Sequence, residues 1–224
     1  MATKLYIFGD GNFADMAHYL FSTDSAYEVA GFTVDAAYLK RDQFNGLPVI
    51  AYEEFLGLPS HRDVHVYVAV GVSGVNAHRA AKVAQLASDG FRLASFVSSH
   101  ARLPPGLVVR PNTMIMDQVN IHPRVRIGAD TVIWSNSRIA LNACVGNHVW
   151  ITSAVVGDGA QIGDHSFIGL NATIAPFVKV GQFNLIGVGA VVDHDTLDHE
   201  IFRGPRSRAA SVSTRDPRAA RLIR

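Results

Sequence analysis

VGDGAQIGDHSFIGLNATIAPFVKVGQFNLIGVGAVV, residues 156–192, repeats itself every six residues. Val156, Ile162, Ile168, Ile174, Val180, Ile186 and Val192 carry the beat. One step of five back from Val156 lands on Ile151. Sixes then reach Val145, Ile139, Ile133, Ile127, Ile121, Ile115, Val109 and Leu103. Every position in this register is aliphatic, in a chain whose hydrophobic content is 48%, so chance is a poor explanation. A helix repeats near 3.6 residues and an ordinary strand near 2, and neither fits. A six-residue repeat marks a parallel β-helix, in which short strands stack coil upon coil.

The residues between beats agree. Small or turn-prone residues follow the aliphatic, as at Gly128, Gly146, Gly157, Gly163, Gly169, Gly181 and Gly187. Turn residues come next, as in Asp164-His165 and Pro176-Phe177. Small residues sit four after the beat at Ser137, Ala143, Ala160, Ser166, Ala172 and Ala190. The pattern describes a three-sided prism with one aliphatic per side pointing inward and a small residue filling each corner. Three hexads make one coil, so the repeat gives about five coils. Trp134 and Trp150 lie beside beats and are expected to face outward, where an interface between subunits would bury them.

Before Leu103 the pattern changes to alternating strand and helix. Residues 4–8, 28–34, 47–50, 64–70 and 91–97 read as strands, and residues 13–21, 52–56 and 75–88 as helices. Such alternation implies a parallel sheet with helices on its faces. The fold expected is therefore an α/β domain over residues 1–98 and an all-β parallel β-helix over residues 99–200. An arginine-rich tail, 201–224, follows. The loop after the first strand carries a chemical signal. Gly9 and Gly11 permit a tight turn and a close backbone approach to a ligand. The following helix aims its N-terminal amides at that ligand, which suits a diphosphate. Asp35 ends the second strand, where an acidic residue accepts hydrogen bonds from a ribose or base. The dinucleotide glycine fingerprint is incomplete, with Ala14 at its third position, so a mononucleotide-linked ligand fits better than a dinucleotide.

Composition narrows the classes. A net charge of +1 gives no footprint for nucleic acid. The single cysteine, Cys144, excludes an internal disulfide framework. The N-terminus lacks a signal-peptide pattern and no apolar run approaches membrane-spanning length, so a soluble cytoplasmic protein without membrane partners is expected.

A glycine-rich first loop (Tyr6-Ile7-Phe8-Gly9-Asp10-Gly11-Asn12) joins Gly31-Phe32-Thr33-Val34-Asp35, Gly46-Leu47-Pro48-Val49, Val68-Ala69-Val70-Gly71 and the hexads up to Val192. This combination resembles the hexapeptide-repeat sugar O- and N-acyltransferases of the sialic-acid O-acetyltransferase and nucleotide-amino-sugar N-acetyltransferase type. The resemblance implies a Rossmann-like first domain and a left-handed prism. It also implies a homotrimer, with acetyl-CoA as co-substrate bound along the prism between subunits. It assigns Gly9, Asp10, Gly11, Asn12 and Asp35 to the nucleotide-sugar. The pantetheine arm would lie near Asn171, Ala172, Ala175, Gly187 and Gly189, with corner amides such as those of Ala172 or Ala175 meeting the oxyanion. The tail arginines would meet phosphates or be solvated.

The chain departs from that family at the base. Asp158 stands where a catalytic His is expected, Phe167 replaces a second His, and Gly204-Pro205-Arg206-Ser207-Arg208 replaces the usual closing segment. A sugar hydroxyl needs a base near neutral pH, whereas an amine is partly free already. A missing His thus favours an amino-sugar acceptor, with Asp158 orienting the amine or serving as a turn residue. A carboxylate, with a reference pKa of about 4, is a poor base at neutral pH unless buried. His148 and His165 are separated by 17 residues, three hexads with one shortened, and should stack on one corner of adjacent coils; either is an alternative base. No cluster has metal-ligand spacing. Cys144 reads as a strand-face residue rather than an acyl carrier. The alternatives to N-acylation are O-acetylation of a sugar or sialic-acid hydroxyl, and a non-catalytic nucleotide-sugar-binding module.

Overall fold

A computed structural model describes residues 2–58, 63–206 and 215. The first half forms β1 (Thr3–Phe8), α1 (Asn12–Thr23), β2 (Tyr27–Val34), β3 (Gln43–Phe44), β4 (Leu47–Ala51), α2 (Tyr52–Gly57), β5 (His65–Val68), α3 (Ala77–Ser88) and β6 (Arg92–Leu93). The sheet order is β3-β4-β2-β1-β5-β6, parallel except for the β3–β4 hairpin. Winding starts at β1, runs outward through β2 and β4, and returns to the other side of β1 at β5. The strand order therefore reverses beside β1, which is where open α/β sheets leave a crevice beyond their carboxyl ends.

The strand expected over residues 91–97 is two strands in two sheets. Arg92–Leu93 pairs with β5, whereas Phe96–Val97, β7, pairs with Met114–Ile115 of the prism. Val97 lies one further step of six before Leu103, so the beat begins earlier than Leu103. The helix expected from residue 75 begins at Ala77, because Val75 and Asn76 take left-handed backbone angles (φ 49° and 66°).

From β7 onward the beats, Leu103 and Val109 excepted, are each the second residue of a two-residue strand, and the strands fall on three parallel faces. The first face stacks Phe96–Val97, Met114–Ile115, Val132–Ile133, Trp150–Ile151, Phe167–Ile168, Leu185–Ile186 and Ile201–Phe202. The second stacks Asn120–Ile121, Arg138–Ile139, Val155–Val156, Thr173–Ile174 and Val191–Val192. The third stacks Arg126–Ile127, Cys144–Val145, Gln161–Ile162 and Lys179–Val180. The step of five is absorbed at one corner, where Ser153 turns with φ 42°. Ile139 pairs with Val156, and the ladder continues in step.

The beats and the small corner residues Ala143, Ala154, Ala160, Ala172 and Ala190 form one continuous core. Each fully buried Val or Ile contributes about 1.5–3 kcal/mol, and stacking repeats that contribution coil after coil. The third residue after a beat turns each corner in the left-handed region: Gln118, Arg124, Asp130, Asn136, Asn142, His148, His165, Asn171, Phe177 and Phe183 have φ of 53–65°. Asn, Asp and His tolerate that region best among residues with a side chain, which explains their frequency at corners.

On the first face the outward residues are also apolar. Phe96, Met114, Val132 and Trp150 are buried against Phe13, Ala17, Phe21 and Tyr67 of the N-terminal sheet and helix in one shared core. The two tryptophans do face outward, but this same chain covers them rather than a second subunit. Trp150 is only 6% exposed, and its ring packs edge-on against Phe13, 4.7 Å between centroids.

Candidate functional site

The glycine loop opens a pocket of about 500 Å3 at the carboxyl ends of β1, β2 and β5. Gly9, Asp10, Gly11 and Asp35 line it together with Tyr38, Gly71, Ser73, His78 and Lys82. Gly9 has φ 122°, and a Cβ there would lie 2.8 Å from the Ala69 carbonyl oxygen, so only glycine fits. Gly11 caps α1 without a side-chain hydrogen bond, and a Cβ there would meet nothing within 4 Å. Gly11 lines the pocket directly before the N-terminus of α1, and a helix N-terminus is an arrangement that accepts an anion.

The charges of this pocket are paired. Lys82 Nζ lies 2.6 Å from Asp35 Oδ1 and 4.7 Å from the Phe8 ring centre, and Arg41 Nε lies 3.3 Å from Asp10 Oδ2. His78 and Lys82 are one helical turn apart on α3, which brings both to the pocket. Sequence reasoning missed them; the signal was a polar i, i+4 pair on a helix following the strand at the switch point.

Asn12 does not line this pocket. It lines a neighbouring one of about 530 Å3 with Phe13, Met16, Val72, Trp134 and Trp150. The two pockets share Gly11, Ala69 and Gly71, so one groove runs from the glycine loop to the prism.

His148 and His165 occupy successive left-handed turns of one corner, with ring centroids 4.7 Å apart. Phe183 stacks on His165 at 4.3 Å and His199 on Phe183 at 5.0 Å. His148 Nδ1 lies 2.9 Å from Asp130 Oδ2 on the preceding coil. His165 Nδ1 is buried without a partner. Burial, reinforced by neighbouring His148, holds the His165 imidazole below its ordinary range, which keeps it a free base near neutrality.

Asp158 lies on a different corner, exposed, and its Oδ1 accepts from the Leu141 N–H at 3.1 Å. The same bond to the coil below recurs where Asp164 Oδ1 accepts from Asn147 N–H (2.7 Å) and Asn147 Oδ1 from Ala129 N–H (3.0 Å). Asp158 is thus one of a set of corner-stapling acceptors, and the structure does not bring it to the histidines.

Asn171 and Gly189 share a corner of adjacent coils, where Gly189 N–H donates to Leu170 O at 2.8 Å. Gly187 sits two residues before that turn, its N–H bonded to Phe202 O. Ala172 is wholly buried in the core and its N–H bonds Gly169 O, while Ala175 N–H bonds Val192 O. Neither amide is free, so the expected oxyanion donors are not found there. Cys144 lies on the third face, its Sγ 2.8 Å from Arg126 Nη2. The tail expected from residue 201 begins later, because Ile201–Phe202 pairs with Leu185–Ile186 as the last strand of the first face; residues 207–214 and 216–224 lie outside the described residues. Among the described residues no group of three or more His, Cys, Asp or Glu is placed to hold a metal, and no helix is long and apolar enough to cross a membrane.

The family of bacterial transferase hexapeptide repeats (six repeats) matches residues 106–140. Solved structures match over nearly the whole chain. The acetyltransferase domain of PglB from Neisseria gonorrhoeae FA1090 superposes with a TM-score of 0.76 and 21% identity, over 90% of this chain and 96% of that one. WeeI from Acinetobacter baumannii AYE matches with a TM-score of 0.70 and 21% identity, over 88% and 94%. A variant of the GDP-perosamine N-acetyltransferase from Caulobacter crescentus, in complex with CoA and GDP-perosamine, matches with a TM-score of 0.66 and 21% identity, over 91% and 95%. The chain carries the hexapeptide repeat and has the fold of these acetyltransferases.

Proposed function

We propose that this protein is an acyltransferase that moves an acetyl group from acetyl-CoA to an amino sugar linked to a nucleotide. The observation that carries the reading is the continuous groove. Its glycine-loop end suits a diphosphate, and its other end, floored by Trp134 and Trp150, suits the apolar face of a sugar ring. The GDP-perosamine N-acetyltransferase of the same fold, solved with CoA and GDP-perosamine, supports it. In this reading the first sheet is Rossmann-like and holds the nucleotide through Gly9, Asp10, Gly11, Asp35 and Lys82, with Asn12 on the sugar side of the groove. The prism is left-handed and assembles as a homotrimer. The pantetheine lies along the corner of Asn171 and Gly189. His148 and His165 are the candidate bases, and Asp158 is structural.

Transfer to a sugar hydroxyl is the second reading, favoured by the His148–Asp130 contact, since a hydroxyl demands a base more strongly than an amine does. One assay separates them. The protein is mixed with acetyl-CoA, a thiol reagent, and a panel of nucleotide-linked amino sugars and their hydroxyl analogues. Thiol release with amines alone is the expected result. Release with hydroxyls alone establishes the second reading, and no release despite nucleotide-sugar binding would reduce the protein to a binding module.

A further inference from the structure

Four polar side chains are wholly buried where the N-terminal sheet meets the prism: Asn76, Arg79, Asn112 and Asp130. Arg79 Nε donates to Asp130 Oδ1 and its Nη2 to the Asp130 carbonyl oxygen, both at 2.9 Å. Its Nη1 donates to Asn76 Oδ1 at 3.1 Å. Asn112 Nδ2 donates to the same Asp130 Oδ1 at 2.7 Å, and Asn112 Oδ1 accepts from the Val68 N–H at 2.8 Å. Asn76 Nδ2 donates to the carbonyl of His165 at 2.9 Å. An ion pair taken out of water adds little to stability, and a cation in the first turn of a helix opposes the helix dipole. Arg79 stands in the first turn of α3 and bears both costs, so holding the fold is a poor account of it.

What the network holds is the groove. Val68 runs into Ala69 and Gly71, which line both of its pockets. Val72 then faces the tryptophan pocket and Ser73 the glycine-loop pocket. Val75 and Asn76 close this loop with left-handed backbone angles, a strained conformation for the β-branched Val75. The bonds of Asn76 to the prism and to Arg79 hold it there. On α3, His78 and Lys82 line the glycine-loop end, while Arg79, about 100° further round the helix, faces the prism. Its guanidinium carbon lies 5.2 Å from the centre of the Trp150 ring, and Trp150 lines the other end of the groove.

We infer that Arg79 is a positioning residue for the nucleotide-linked sugar. Through Asp130 and Asn76 it locks α3 and the loop 71–76 to the prism, so that the two ends of the groove form one preorganised site. The inference rests on the nucleotide-sugar reading above. A ligand that occupies both ends gains from the lock, because their spacing is set before it binds. A free nucleotide occupies the glycine-loop end alone and gains little from it.

The test compares the two kinds of ligand. Arg79→Met combined with Asp130→Asn removes the lock without leaving a buried charge, and Asn suits the left-handed corner at position 130. GDP and UDP, each free and linked to an amino sugar, are titrated into the full-length parent and variant by calorimetry. The variant should bind the free nucleotide within about twofold of the parent and the linked amino sugar about tenfold or more weaker. Parent-like affinity of the folded variant for the linked sugar would overturn the inference, and so would equal weakening of both ligands. If the parent binds none of these compounds, the nucleotide-sugar reading itself fails. Hydrogen exchange in the ligand-free parent then decides the lock, and does so whether or not the variant folds. Amides of residues 80–83 in α3 that exchange as slowly as those of Asp130 and Val132 in the prism uphold it. Exchange at residues 80–83 faster by about a hundredfold or more refutes it, because α3 would then open apart from the prism.

Discussion

Residue by residue, the prism sorts its polar side chains by position within the hexad. The second residue after a beat staples the coil below through a side-chain acceptor, and the third turns the corner. Asp158 holds the first of these posts, which Asn fills equally well, as Asn147 does. Asp158→Asn is therefore expected to keep its kcat within about twofold, and a steady-state assay showing a loss of a hundredfold would return Asp158 to the mechanism. His165 holds the corner post inside an aromatic stack, where Asp164, Asp130 and Arg79 also act on it. Folding lowers its proton affinity below the ordinary imidazole value of about 6.5, so the unfolded chain binds that proton more readily. The contribution to stability is full above about pH 6.5 and is lost as pH falls below it toward the depressed folded value. His165→Phe keeps the stack but cannot titrate. Melting temperatures between about pH 7.5 and 5 should fall less for this variant than for the parent, and parallel curves would contradict the assignment of that loss to His165.

Elements place the groove, and they explain what the sequence could and could not say. The hexad beat is legible because each inward residue meets only its own copies one coil away, so a local period encodes a whole architecture. The outward row of the first face was equally available, since Met114, Val132, Trp150, Phe167 and Leu185 are apolar at every third hexad. It stays hidden unless the residue before the beat is read coil by coil rather than strand by strand. The pairing of Lys82 with Asp35 and of Arg79 with Asp130 was not legible, because both depend on how α3 docks, not on local pattern. Lys82 stands at the switch point with its charge on the pocket. Lys82→Ala should weaken nucleotide-sugar binding by roughly ten- to a hundredfold, the value of one charge-assisted hydrogen bond, measured by titration calorimetry. An unchanged affinity would place the phosphates elsewhere. Trp150→Ala should cost about 3–5 kcal/mol of stability in denaturant unfolding, because its ring closes the core between sheet and prism. A loss below about 1 kcal/mol would mean that the first face is not sealed by the N-terminal sheet.

At the scale of the whole molecule the three faces have three different outer surfaces. The first is covered by the N-terminal sheet and helix from Phe96 to Phe167, with Leu185 and Ile201 exposed beyond them. The third presents Arg126, Cys144, Gln161 and Lys179, a polar and cationic row unsuited to close packing against its own copy. The edge between the first and second faces leaves Leu170, Val188 and Val191 exposed, with Val155 beside them. An apolar strip of this kind on a rigid column is expected to be covered in solution. The homotrimer proposed above supplies the cover, and it puts the pantetheine corner of Asn171 and Gly189 at the junction between copies. Two consequences are linked by that geometry. Val188→Asp combined with Val191→Asp should convert the assembly to monomers in sedimentation analysis, and the same variant should lose acyl transfer while still binding nucleotide-sugar through the distant glycine loop. A parent protein that sediments as a monomer with full activity would break the link, because the donor site would then be complete within one chain.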